Sequence, residues 1–210
     1  MLETVEAVFD RISGYAVQVI MPHFHPDGSI DIAVMPYTKG YGTTKQFTTL
    51  RLPTETGKPF ETVLETTLRG LREEAAEDYS AFGVEIWGIA HAALVPDQKD
   101  PSKHHVKIAM VAEHKSGELR KHPKPDEDDQ DEFHGAMRWV EARKLLTQRI
   151  EGHKVLFPHG SSICAFLSAL AHRPEFKEVA QTYYSVIGEF PHKPLTPTEW
   201  EAVQTYAGLK

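Results

Sequence analysis

Apolar and polar positions alternate along the chain with two periods. "LETVEAVFDRISG" sets Leu2, Val5, Val8, Phe9 and Ile12 at helical spacing and meets Gly14 at the expected stop, which predicts an amphipathic helix over 2–13. "YAVQVIM" and "SIDIAVMPY" then run apolar with β-branched residues, parted by "PHFHPDG", whose Pro and Asp-Gly form turns. These read as strands, as do "KQFTTLRL", "VEIWGIAHAALV", "HHVKIAMVAEH" and "AMRWVE". A helical run from residue 62, with Gly83 at its expected stop, falls between the third and fourth strands, and "EARKLL" makes a second short helix. Strands interleaved with helices place the chain in the α/β or α+β class.

Near residue 150 the pattern changes. Strand signals fade, and Ile163, Phe166, Leu167 and Leu170 form one helical stripe, while Phe176, Val179, Ala180, Tyr183, Tyr184 and Ile187 form another. "TPTEW" predicts a last helix, with Thr196 as N-cap, Pro197 in the first turn, Glu199 closing a capping box and Gly208 as the stop. The reading is a domain over 1–149 and a helical extension over 150–210. The extension needs a surface to cover its stripes, either the core or a second subunit, so a homodimer is one expected arrangement.

Composition limits what such a fold could do. The chain has 210 residues, net charge −7 and 40% hydrophobic residues, values of an ordinary globular protein without the basic face that general nucleic-acid binding or an anionic membrane requires. The single cysteine, Cys164, excludes an intramolecular disulfide framework and any multi-cysteine zinc site. An acidic N-terminus and the lack of a long apolar run point to a cytoplasmic protein whose partner is a small ligand or a metal.

The helix from residue 62 carries the candidate chemistry. Thr62 and Glu65 make a T-x-x-E capping box, so it should begin at about Val63. At 100 degrees per residue, Leu64, Leu68, Leu71 and Ala75 fall within roughly 60 degrees, the face expected to meet the sheet. Gly70, Glu73, Glu74 and Glu77 converge on another side, where clustered carboxylates are hard ligands of the kind Mg²⁺ or Mn²⁺ prefers. Glycine within a helix costs roughly 1 kcal/mol relative to alanine, so Gly70 needs a reason. For Gly70→Glu the propensity gain and the repulsion from Glu73 and Glu74 nearly cancel, predicting little change in stability without metal.

"LPTETGKPFETVLETTLRGLREEAAE" resembles the Nudix box, a Gly, five residues, Glu, seven residues, then Arg-Glu-aliphatic-x-Glu-Glu-x-Gly-aliphatic. On this register, over about 55–77, Glu61 takes the first Glu, Arg69 the Arg, Leu71 the aliphatic position, and Glu73 and Glu74 the Glu pair. The likeness extends from about Tyr15 to Leu146, through "LRLP" before the box to "MRWVEARKLL" after it. It implies a Nudix-like mixed β-sheet sandwiched between helices. It also implies metal-dependent cleavage of a diphosphate linkage in a nucleoside diphosphate derivative, by water attack on phosphorus. Glu73 and Glu74 would be catalytic, Glu73, Glu74 and Glu77 would hold the metal, and Glu61 with Arg69 would form a structural ion pair.

Four positions depart from the pattern. Glu55 stands where the first Gly belongs, Ala76 replaces the last Gly, Glu77 the last aliphatic, and Gly70 the second Glu, a principal metal ligand of active family members. A register shifted by one turn uses Glu65, Glu74, Glu77 and Asp78 but discards Arg69. The departures leave a second reading open, a Nudix-like module that has lost its chemistry and keeps nucleotide or protein recognition.

Three further candidates complete the picture. The acidic run Asp126 to Glu132 reads as a solvated loop, from which Glu132 could act as general base. Tyr41, Lys45, Phe47 and Arg51, on or before the strand leading into the box, could stack on a base or meet phosphates. The histidines at 23, 25, 104 and 105 do not make a zinc motif.

Overall fold

The computed structural model describes residues 4–40, 47–97, 99–125, 132–146, 149–150, 153–155, 157–183 and 195–209. The first helix, α1 (Val5–Phe9), is shorter than 2–13: Thr4 caps it, and Ile12, assigned above to its apolar stripe, already starts β1 (Ile12–Ile20). Pairing of Ile12 with His104 takes over from helical bonding at that point.

The strands that follow are β2 (Pro22–Phe24), β3 (Ile30–Lys39), β4 (Phe47–Arg51) and β5 (Thr54–Thr56). After the box helix α2 (Val63–Gly70) come β6 (Gly83–Pro96), β7 (His104–Ser116), β8 (Lys124–Pro125), β9 (Glu132–His134), β10 (Arg138–Glu141) and α3 (Ala142–Leu146). The chain closes with β11 (Arg149–Ile150), β12 (His153–Val155), α4 (Phe157–Leu170), α5 (Lys177–Gln181) and α6 (Pro197–Tyr206). One four-stranded sheet has the order β5-β1-β7-β6, with β1 and β7 parallel. A second sheet runs β11-β12-β4-β3-β9-β8, with β10 and β2 also on β3. The class is mixed α/β, and parallel and antiparallel pairs coexist in both sheets.

Apolar alternation along the strands feeds two cores. On one side Ile20, Ile32, Val34, Leu50 and Val111 pack against α4, whose Ile163, Phe166, Leu167 and Leu170 are all buried. On the other, Val17, Val19, Ala33, Met35 and Ile108 meet Val63 and Leu71 of the box region and Val203 of α6. Residue 150 is not a break in the packing: β12 pairs in parallel with β4, and α4 supplies Ile163, Cys164, Phe166, Leu167 and Leu170 to the first core. Tyr183 of the second stripe is buried and donates its hydroxyl toward Glu141, while Tyr184 and Ile187 lie outside the described residues. Among the described residues no helix is long and apolar enough to cross a membrane.

Candidate functional site

α2 begins at Val63, where Thr62 accepts from the Glu65 N–H and Glu65 accepts in return from the Thr62 N–H at 2.8 Å. The α-helix ends at Gly70, and residues Leu71–Ala75 continue it as one wider π-turn, closed by the Ala76 N–H on the Leu71 carbonyl at 3.0 Å. Extended backbone follows at once. Ala76 bridges to Leu119, so the helical run stops well short of Gly83, which instead opens β6.

The face turned inward takes in most of the leucine stripe and the positions beside it: Leu71 and Ala75 are buried, and Leu68 is half-buried against the same core. Leu64 is 48% exposed, whereas Val63, Thr66, Thr67, Gly70 and Glu74 are buried. Of the carboxylate arc, Gly70 and Glu74 therefore face inward, while Glu73 and Glu77 stay partly in solvent. Polar side chains bury without penalty when partners meet them. Here Thr66 bonds the Tyr15 hydroxyl at 2.9 Å and donates to Glu61 at 3.0 Å, and burial pushes the Tyr15 pKa above the ordinary value.

Glu74, 3% exposed, is the hub. One carboxylate oxygen accepts from the Thr54 N–H at 2.7 Å; the other accepts from Arg51 at 3.2 Å and faces His134 Nδ1 at 3.3 Å. The Arg51 guanidinium also lies 4.1 Å over the Tyr37 ring. Arg120, buried next to them, donates to the Gly135 carbonyl; burial lowers its pKa, and the charges of Glu74 and Glu77 oppose that shift. On the other side of Arg51, His159 accepts the Leu52 N–H through Nδ1. Burial, with Arg51 and Lys107 adding to it, pushes its pKa down to about 3, so it is neutral.

The other acidic residues point elsewhere. Arg69 donates to both oxygens of Glu61 at 2.9 Å, to the Thr56 carbonyl at 2.7 Å and to Glu55, and Glu73 stands 3.6 Å away at 40% exposure. Glu77 accepts the Lys121 N–H at 2.7 Å and faces His122. Of the shifted register, Glu65 is engaged in its cap and Asp78 accepts from the Ser80 N–H. The expected set Glu73, Glu74 and Glu77 is thus not brought together, because each carboxylate is drawn to a different cation or N–H. Among the described residues no three His, Cys, Asp or Glu side chains stand close enough to hold one metal ion. As placed, the set does not fit Mg²⁺ or Mn²⁺.

Gly70 is explained by sterics. A Cβ there would lie 2.9 Å from Glu55 Cγ, and Glu55 is held by Arg69. The side chain missing from the helix thus returns from β5 and fills the same space. The expectation that Gly70→Glu leaves stability unchanged is corrected by this contact: the substitution should cost about 1–3 kcal/mol as overpacking. In a Glu55→Gly background most of that cost should vanish. A double-mutant cycle by urea denaturation checks it, and additive effects would show that the two positions do not share space.

Glu132 lies on β9, on the same face as His134 two residues on, and accepts from Lys39 at 3.1 Å. Lys45 and Tyr41 fall outside the described residues, and of Phe47 only the backbone, paired with Lys39, is described. His134, Arg120, Thr54 and the role of Glu55 were missed from sequence. Nothing local marks them, since their partners lie between 14 and 60 residues away along the chain.

No family model matches the chain, and no curated protein matches its sequence. Solved structures do resemble it. The C. elegans Ap4A hydrolase in a binary complex is 13% identical over 76% of this chain and 98% of its own, with a TM-score of 0.47. The Nudix hydrolase RenU from M. smegmatis is 16% identical over 77% and 88%, at 0.49. The NUDIX domain of Shewanella oneidensis NrtR, complexed with ADP ribose, is 12% identical over 74% and 87%, at 0.46. The structures it resembles are Nudix proteins. At such identity the likeness says nothing of activity.

Proposed function

We propose that this chain is a Nudix-type domain that binds a nucleoside diphosphate derivative, with the metal-holding part of its box reorganised into internal ion pairs. The observation that carries the reading is the set of buried guanidinium donors around Glu74 that lack a partner among the described residues. Arg51 and Arg120 stand beside one carboxylate, and Arg51 Nε together with Arg120 Nε and Nη1 are buried with no hydrogen-bond partner among the described residues. Buried guanidinium donors call for an acceptor, and a phosphate group supplies several in the matching geometry. The buried Tyr37 ring lies under the Arg51 guanidinium next to them.

Titrating ADP into the protein by calorimetry, with and without Mg²⁺, tests the reading. Binding should not require the metal, should weaken as salt rises, and should fall about tenfold in Arg51→Lys, which keeps the charge and loses the fork. Absence of heat at millimolar ADP would reject it. The second reading, Mg²⁺-dependent hydrolysis of the diphosphate linkage, is favoured by the half-exposed Glu73 and by the retained Arg69–Glu61 pair. Metal-dependent release of AMP from dinucleotide or sugar diphosphates would establish that reading in place of the first.

A further inference from the structure

Among the described residues the exposed large apolar side chains are Phe9, at 37%, Leu64, at 48%, and Phe60, which is fully exposed. They gather at one place. Phe60 and Leu64 flank the start of α2; a Cβ at Gly208, just past α6, would lie 3.7 Å from Thr62, the α2 N-cap; and Phe9 packs edge-on to Tyr206 of α6 at 5.5 Å. Phe60 is also the residue with positive φ that is not glycine, at 68°. That conformation is unfavourable for a bulky side chain, and Phe60 makes no compensating burial within the chain.

Phe60 edges a groove of about 450 Å³ whose apolar lining is Pro59, Phe60 and Leu68, bordered by the charged Lys58, Glu65 and Arg72 and by the Glu61–Arg69 pair. Knob and groove thus sit side by side on one face, with Leu64 one turn before Leu68. A two-fold axis near Leu64 would lay each Phe60 over the partner's Leu68, the self-complementary geometry of an isologous contact. The rim carries both signs, Lys58 and Arg72 against the exposed Glu65, whose cap uses one carboxylate oxygen, so a copy turned end for end can set its cations on the other's Glu65. We propose that this patch is a homodimer interface in which the Phe60 ring of each copy enters the groove of the other. The proposal is independent of the nucleotide reading.

Sedimentation equilibrium of the full chain up to roughly a few hundred micromolar, a range that reports weak contacts, tests it with Phe60→Gly and Leu64→Asp. The wild type should show a monomer–dimer equilibrium, and each substitution should raise its dissociation constant by about tenfold or more, as loss of an aromatic or central apolar anchor does. Phe60→Gly should meanwhile hold or raise the melting temperature, because glycine adopts the positive φ freely, which separates loss of the contact from loss of the fold. A wild-type monomer throughout this range would overturn the proposal and leave the patch to a different partner. A dimer indifferent to both substitutions would overturn it equally.

Discussion

A chain ending at residue 150 should fail to reach the native state. It would lose β12 from the edge of β4 and, with α4, the buried side chains of Ile163, Cys164, Phe166, Leu167 and Leu170. Burial of such side chains contributes about 1.5–3 kcal/mol each. Their sum is of the order of the whole net stability of a domain, roughly 5–15 kcal/mol. Removal would also bare Ile20, Ile32, Leu50 and Leu52 on the sheet. Near-ultraviolet circular dichroism and a thermal melt would show it: no cooperative transition is expected, and an intact sharp melt would mean that the first core closes without α4. Phe166→Ala in the full chain is the milder version, expected to cost about 3–5 kcal/mol.

Glu74→Gln should cost about 3–5 kcal/mol, the usual effect of removing one partner from a buried ion pair. Glu73→Gln should change stability by less than about 1 kcal/mol, since its contact with Arg69 is long and half in solvent. For a chain of this length the first should lower the melting temperature by roughly 10 °C. The contrast separates two pictures of the same three carboxylates. Had Glu73, Glu74 and Glu77 converged as an apo metal cluster, neutralising either would relieve repulsion, and both variants would melt at or above the wild type. That outcome would remove Glu74 from the hub between Arg51, Thr54 and His134.

Legibility of the site followed the distance between partners. The Thr62–Glu65 and Thr196–Glu199 boxes involve bonds three residues apart and could be placed from sequence. Arg69 with Glu61 spans eight residues and is still set by helix geometry. Arg51 and Glu74 were both named, yet for separate tasks, as a substrate contact and a metal ligand. Nothing within 20 residues of either says that they meet.

By itself the sequence determined the main strands, the capped helix starts and the α4 stripe that had to be covered, because these rest on local propensity and on which positions are apolar; the ends of α1 and of the box helix, and the short strands β11 and β12, were set by pairing with distant strands. Only the tertiary structure decided how wide a face of α2 and its π-turn was buried. Hydrophobicity alone placed Leu68, Leu71 and Ala75 against the core and gave no reason for Thr66, Gly70 and Glu74 to join them. That polar flank was buried as well because strands distant in sequence delivered Tyr15, Arg51, Glu55 and His134 to the spot. A carboxylate can leave water when cations and N–H groups are fixed around it, and that compensation depends on sheet register rather than on helical period. The same register put Glu55 over Gly70 and made glycine the residue that fits there.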